Sequence, residues 1–200
     1  MFFRLPMGLI VAVDEAGGIG KDGAIPWQLR KDMAHFVKKT KDTEDINKIL
    51  LQRNAVIMGR KCYESIPPSF LPLKGRLNVV ISRTLPEMTG TDLLIRSDIN
   101  KAMDELASLV ACGKIERVWN IGGGEIYSWA LRNDLINTIE ITKIQKNFGA
   151  DVKLPDIEWE NFKEVCSSEE QEENGVKFTF HTYEQFSCTC TTGSGSSQQN

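Results

Sequence analysis

Residues 8–13, Gly-Leu-Ile-Val-Ala-Val, form an unbroken apolar run closed by Asp14 and Gly17-Gly18. A strand with one wet face alternates apolar with polar residues; a strand with no polar position is buried on both faces. Further strands are read at Ala55-Val56-Ile57-Met58, Leu77 to Ile81, Leu93-Leu94-Ile95 and Val118-Trp119-Asn120-Ile121, and Ile136 to Ile144 alternates well enough for a sixth strand. Helical patterns lie between them. One starts at Trp27, carried by Leu29, Met33, Phe36 and Val37, and fades near Thr40. Lys61 to Ser65 allows one or two turns before Pro67-Pro68. An amphipathic helix spans 98–111, capped by Ser97 or Asp98, and a short one runs from Glu125 to Arg132. Strands alternating with helices predict a single α/β domain with a mostly parallel central sheet flanked by helices. Residues 162–168 and 176–184 read as a closing antiparallel hairpin turned at Asn174-Gly175, which makes the sheet mixed. The domain is expected to fill residues 1–186. The uncharged Ser/Thr/Gly/Gln-rich stretch 187–200 is expected to be a disordered tail.

The net charge of −3 hides an asymmetry. Residues 1–155 carry a net +4 and residues 156–200 a net −7, so the cations able to hold an anion lie in the first three quarters. The total argues against a dedicated nucleic-acid binder. There are five cysteines and two histidines, with no CxxC pair and no His-x3-His pattern. That makes a metal site unexpected and favours a reducing compartment over a disulfide framework. No apolar run approaches the ~20 residues of a membrane span, and the start is too short for a secretory signal. A cytoplasmic monomer is the expectation.

Two glycine motifs need weighing. Gly18-x-Gly20-x-x-Gly23 matches a dinucleotide fingerprint as a string, but Pro26-Trp27 follows where the fingerprint needs a helix already begun. A flexible functional loop over residues 14–26 fits better. Gly122-Gly123-Gly124 lies between an apolar strand and a helix. It suits either a phosphate cradle at a helix N-terminus or a tight turn with positive φ, and the string alone does not choose. Met58-Gly59-Arg60-Lys61 has the same strand–glycine–helix form with two cations added. Ser82-Arg83 and Arg96-Ser97 end two more strands. Ligands of open α/β sheets bind beyond the carboxyl ends of the strands. Arg60, Lys61, Arg83 and Arg96 would therefore gather at one edge and favour a ligand with an extra phosphate.

Asp32 lies three residues after Leu29 and four before Phe36, so it borders the apolar stripe of the first helix. From spacing alone, an early-helix acid favoured by the dipole is the better reading than a desolvated functional acid. Two histidines support no Ser–His–Asp or Cys–His set.

Taken together, the chain from Gly8 to Phe186 resembles the dihydrofolate reductase family. The resemblance rests on Ile10-Val11-Ala12-Val13, Gly18-Ile19-Gly20, Ile25-Pro26-Trp27, Met58-Gly59-Arg60-Lys61, Glu64-Ser65-Ile66-Pro67, Leu73-Lys74-Gly75-Arg76, Ile81-Ser82-Arg83, Ile121-Gly122-Gly123-Gly124 with Tyr127, and Thr142, in the family's order and spacing. It implies a dihydrofolate-reductase-like fold and NADPH-dependent reduction of 7,8-dihydrofolate to tetrahydrofolate, feeding one-carbon metabolism and thymidylate synthesis, with antifolates as inhibitors and no metal. It implies that Asp32 is the single acid of the site and bonds the pterin N3 and 2-amino group, supported by Thr142. Trp27 and Tyr127 would complete the catalytic group. Ile10 and Val11 would offer carbonyls and apolar contact. Met33, Phe36, Ser65, Ile66, Leu73 and Ile121 would line the substrate pocket, and Arg76 would clamp the α-carboxylate of the glutamate tail.

For NADPH, the resemblance implies that Ala12 and the loop Gly18, Ile19, Gly20, Lys21, Asp22, Gly23 and Ala24 flank the carboxamide as a mobile cover. Gly122, Gly123, Gly124, Glu125, Ile126 and Tyr127 would cradle the pyrophosphate. Gly59, Arg60, Lys61, Cys62, Ser82, Arg83, Thr84 and Arg96 would meet the adenosine half and its 2′-phosphate. Four features depart from the common pattern. Cys62 stands where Thr is usual, and a thiol is a poorer donor than a hydroxyl. Gln28 gives a bacterial-like length at that point, whereas the Ser65-to-Arg76 spacing is vertebrate-like. Val152 follows Asp151 where Thr is common.

Overall fold

The computed structural model describes residues 5–43 and 52–186. The tail expected at 187–200 lies outside the described residues. The chain runs β1 (Met7–Val13), β2 (Gly18–Gly20), α1 (Arg30–Lys41), β3 (Arg53–Gly59), α2 (Arg60–Ser65), β4 (Arg76–Ile81), β5 (Met88–Thr89) and β6 (Leu93–Arg96). It continues through α3 (Ile99–Ala111), β7 (Ile115–Gly122), α4 (Gly124–Arg132), β8 (Ile136–Ile144), β9 (Val152–Lys153), β10 (Phe162–Ser167), β11 (Gln171–Glu173) and β12 (Val176–Gln185).

One sheet holds every strand but β2 and β9, in the order β10-β12-β8-β1-β7-β3-β4-β6-β5, with β11 beside β12. From β8 to β6 all neighbours are parallel, while β12 runs antiparallel to β8. The fold is therefore α/β with a mixed, mostly parallel sheet, as the sequence implies. Alternate residues of the apolar runs serve opposite faces. Leu9, Val11, Ile57 and Val79 pack with Ala102, Met103 and Leu106 of α3 and Ile126 and Ala130 of α4. Ile10, Val56, Met58, Val80 and Trp119 pack on the other face with Phe36 of α1 and Cys62 and Tyr63 of α2. Val56, Ile57, Met58, Val79 and Val80 have no exposed surface. Each such side chain contributes about 1.5–3 kcal/mol on burial.

Three elements differ from the sequence expectation. Helix α1 starts at Arg30, not Trp27, because Leu29 is extended at φ −120°, ψ 105°. Trp27 and Leu29 are instead drawn into a cluster with Ile144, Val176 and Phe178. The tight turn at Asn174-Gly175, with φ of 54° and 71°, joins β12 to β11; β10 pairs farther along β12, Phe162 opposite Gln185. Finally, part of the glycine loop is a strand, β2, paired with β9 through Gly18–Lys153 and Gly20–Val152. Single glycines and a two-residue partner carry no periodicity from which that pairing could be read. Helix α3 is capped as expected: Asp98 accepts from the Asn100 and Lys101 N–H groups.

The parallel strands all end at one edge. Because β7 is inserted between β1 and β3, the turns leading into α2 and α4 are neighbours there. A Cβ placed on Gly59 would lie 3.9 Å from the Gly123 nitrogen.

Candidate active site at the carboxyl edge of the sheet

The glycine turn after β7 is built to bring backbone close to a ligand. Gly122 has φ +98°, and a Cβ there would come within 2.8 Å of the Tyr127 ring. Gly123 is the uncapped N-cap of α4, and a Cβ on it would meet nothing within 4 Å. Open space above an uncapped helix start suits a phosphate. The turn is braced from beneath by buried Asn120, which accepts from the Gly122 N–H at 3.0 Å and donates to the Ile126 carbonyl at 3.1 Å. Beside it, Cys62 donates to the Ile121 carbonyl at 3.5 Å, and burial pushes its thiol up to about 11. At neutral pH Cys62 is a neutral packing group.

The four expected cations reach the same edge but are not equivalent. Lys61 and Arg83 are exposed. Arg60 pairs with Glu64 at 2.7 Å on the surface. Arg96 is committed inside the protein: its guanidinium grips Glu105 through two bonds at 2.9 and 3.0 Å, and donates to the Met88 carbonyl and Thr89 hydroxyl. Ser82 is likewise committed, its hydroxyl accepting from the Thr84 and Leu85 N–H groups. Gly59, Arg60, Lys61, Arg83 and Thr84 thus frame this edge, with Arg96 and Ser82 bracing it from within.

The glycine loop forms the far wall. The Asp14 carboxylate accepts from the N–H groups of Ala16, Gly18 and Phe148. Desolvation raises its pKa, but these bonds outweigh it and the net shift is downward. Gly18 has no room for a side chain, since a Cβ would lie 2.3 Å from the Ala150 Cβ. Lys21 and Ala24 exchange backbone bonds across Asp22 and Gly23, both at positive φ. The Asp22 N–H is held by Asp151 at 3.1 Å. Val152 stands 3.8 Å from a Cβ on Gly124, so this ribbon flanks the glycine turn.

At the other end stands Asp32, half-buried in the first turn of α1. Desolvation raises its pKa above the ordinary 3.8. The Thr142 hydroxyl, His35 and the Trp27 indole N–H pull it down without cancelling that rise. Thr142 is buried on β8, opposite Ala12 of β1. Trp27 is buried against Phe148, and its Nε1 lies near enough to lower the Asp32 carboxyl without closing a hydrogen bond of normal geometry. Asp32 is thus both a first-turn acid and a desolvated one.

Between the two ends lies an apolar floor. Phe36, Ile66, Leu73 and Ile121 are partly buried and pack on the cluster of Ile10, Met58 and Trp119. Ser65 is exposed and bonds back to the Cys62 carbonyl, while Met33 is exposed at 49%. Tyr127 joins the ends directly by donating to the Ile10 carbonyl at 2.8 Å. Arg76 is buried, with Phe36 under its guanidinium and bonds to Thr40 at 2.7 Å and the Lys74 carbonyl at 3.3 Å. A guanidinium carries five donors, so donors remain for an anion. Sequence reasoning missed Asn120, Asn78 and Asp14. Asn78 ties the Leu73 amide group and the Arg76 and Asp92 carbonyls together. Their signal was a polar residue within or ending an apolar strand, which seldom stays buried without a structural task.

A glycine turn flanked by cations, leading over an apolar floor to one desolvated carboxylate, is an arrangement suited to an α/β enzyme that works with a phosphate-bearing nucleotide. The comparisons with known proteins agree. The family model for dihydrofolate reductase matches residues 6–185. A Caenorhabditis elegans chain provisionally named dihydrofolate reductase is 46% identical over 181 residues, 87% of this chain and 94% of that one. Aedes albopictus dihydrofolate reductase is 35% identical over 183 residues, 88% of this chain and 95% of that one. An Arabidopsis thaliana bifunctional dihydrofolate reductase-thymidylate synthase is 40% identical over 88% of this chain, which spans only 31% of it. The chain belongs to the dihydrofolate reductase family.

Proposed function

We propose the following division of labour among the chain's residues in the NADPH-dependent reduction of 7,8-dihydrofolate that its family carries out. The half-buried Asp32 is the observation that carries it. A carboxylate accepts two parallel bonds from an amidine-like edge, and the pterin N3 and 2-amino group present such an edge. Desolvation makes that acceptance stronger than it would be in water. Thr142 and Trp27 lie beside the carboxylate and favour its charged form. Ile10, Phe36, Ile66, Leu73 and Ile121 exclude water from the ring, and Arg76 clamps the α-carboxylate of the glutamate tail.

The cradle fits the cofactor. Gly122 to Gly124 would take the pyrophosphate, while Lys61, Arg83 and Arg60 would take the 2′-phosphate end. When bound, NADPH supplies the hydride that passes from nicotinamide C4 to pterin C6. Holding the two rings in contact is the chain's main contribution to rate. Asp32 is engaged at the amidine edge, so the N5 proton arrives through water. The same reading takes the enzyme as a cytoplasmic monomer with one domain over residues 1–186; sedimentation and fractionation would test it. Among the described residues no helix is long and apolar enough to cross a membrane.

The test is Asp32→Asn with dihydrofolate and NADPH across pH. Turnover should fall by orders of magnitude at neutral pH and less in acid, where the substrate arrives protonated. A loss independent of pH contradicts the role.

A further inference from the structure

Helix α1 begins without a cap of its own. Leu29 stands at its N-cap and makes no side-chain bond to the first turn. The first N–H groups of a helix find no partner inside it, and leaving them bare costs stability. Here the partner comes from the other end of the chain. The Glu173 carboxylate accepts from the Arg30 N–H at 2.9 Å through Oε1 and from the Lys31 N–H at 3.0 Å through Oε2. The Asn174 amide donates to the Gln28 carbonyl at 2.9 Å. The Lys31 ammonium donates to the Gln171 side chain at 3.3 Å and the Glu172 carbonyl at 3.4 Å. The β11–β12 turn therefore grips the start of α1 from Gln28 to Lys31.

We propose that Glu173 is a positioning residue for the reduction: by holding the first turn of α1 it fixes where Asp32, the next residue after Lys31, meets the pterin. The proposal rests on Asp32 being the pterin anchor. A helix frays from its ends, and Asp32 lies one residue beyond the two gripped amides. A displacement of ~1 Å at a substrate-positioning group is enough to cost heavily in rate. A carboxylate suits the place, because the helix N-terminus carries partial positive charge. Its charge also reaches Asp32. Desolvation does most to raise the Asp32 pKa; Thr142 on β8, His35 on α1 and Trp27 before the helix lower it, and Glu173 on β11 raises it. Glu173 therefore both places the acid and opposes its ionisation.

The experiment uses the full chain with Glu173→Ala, Glu173→Gln and a control, Glu170→Gln. Glu170 belongs to the same region but bonds Lys177 and Gln145, not α1. Glu173→Ala should raise the KM for dihydrofolate about fivefold and leave that for NADPH within about twofold. Glu173→Gln keeps one acceptor and should fall between. Both should lower the Asp32 pKa read by carboxyl 13C NMR titration, and the split between a raised dihydrofolate KM and an unchanged NADPH KM is the readout that a merely structural role would not give. Glu170→Gln should change neither quantity. An unchanged dihydrofolate KM in both Glu173 variants, or equal effects from Glu170→Gln, overturns the proposal. If Glu173→Ala does not fold, Glu173→Gln carries the test alone. Asp32→Asn run alongside separates the two ideas. Full turnover there removes the pterin-anchor reading; a crippled Asp32→Asn with normal Glu173 variants removes only this one.

Discussion

The Tyr127 hydroxyl donates to the Ile10 carbonyl at 2.8 Å, linking the helix after the glycine turn to the middle of the first strand. Its ring also occupies the space a Cβ on Gly122 would need. One side chain thereby sets the distance between the glycine turn and the middle of β1, the two parts proposed to meet cofactor and pterin. Tyr127→Phe removes the bond and leaves a buried carbonyl unsatisfied, which costs about 1–3 kcal/mol. Urea denaturation should show that loss. The KM values for NADPH and dihydrofolate should rise together, and a rise in one alone would refute the link.

Asp32 should weaken the fold it serves. Its folded pKa lies above its ordinary value of 3.8, chiefly through desolvation. A carboxyl shifted upward stabilises the fold while protonated, and that contribution is lost as the pH rises through the folded pKa. Asp32→Asn should therefore raise Tm at pH 7 as it abolishes turnover. Each kcal/mol relieved is worth about 2–4 °C in a chain this size. The gain should fade below pH 4, where the parent's Asp32 is neutral too. A gain of equal size at pH 3 and pH 7 would show that charge is not its source.

Arg83 and Arg96 should separate cleanly. Arg83 is exposed, whereas Arg96 holds Glu105 and the Met88 carbonyl. Arg83→Ala should weaken NADPH by about tenfold and NADH hardly at all, with Tm unchanged. Arg96→Ala should lower Tm and affect both cofactors alike. Parallel titrations with the two nucleotides decide it; a purely NADPH-specific loss in Arg96→Ala would return that residue to the phosphate site.

Much of this could be read from residue patterns, and the failures share a cause. The runs at 8–13 and 55–58 report strands buried on both faces because burial leaves no polar position, and in 77–81 the one polar residue, Asn78, is itself buried and bonded. Four cations at strand ends fall at one edge because parallel strands end together. What could not be read was which of them is spent internally. Arg96 differs from Arg83 only through Glu105, nine positions on, and no local pattern reports that pairing. Likewise Asp32 reads as an ordinary early-helix acid, since the burial that raises its pKa comes from the folded surroundings, and one group that opposes that rise, Thr142, lies more than a hundred residues away. Glu173 was seen only as part of an acidic surplus, although two of its bonds start the helix that carries Asp32.

Glu140 provides a pH test independent of catalysis. It is 3% exposed on β8 and is bonded by Lys39 at 2.8 Å, with His35 at 3.4 Å and the Thr182 hydroxyl at 3.1 Å from both oxygens. Desolvation pushes its pKa up, but the bonds from His35, Lys39 and Thr182 outweigh it and the net shift is below 4.5. A carboxyl shifted downward stabilises the fold above its unfolded pKa, and the contribution is lost as the pH falls through the folded value. Glu140→Ala breaks a buried pair, which costs about 3–5 kcal/mol. Lys39 is 35% exposed and can turn to water, so the lower end applies. Urea denaturation at neutral pH should show that loss, and the gap between parent and variant should narrow steadily below pH 4.5 as Glu140 takes up its proton. A gap that stays constant down to pH 3 would mean that Glu140 contributes packing and not charge.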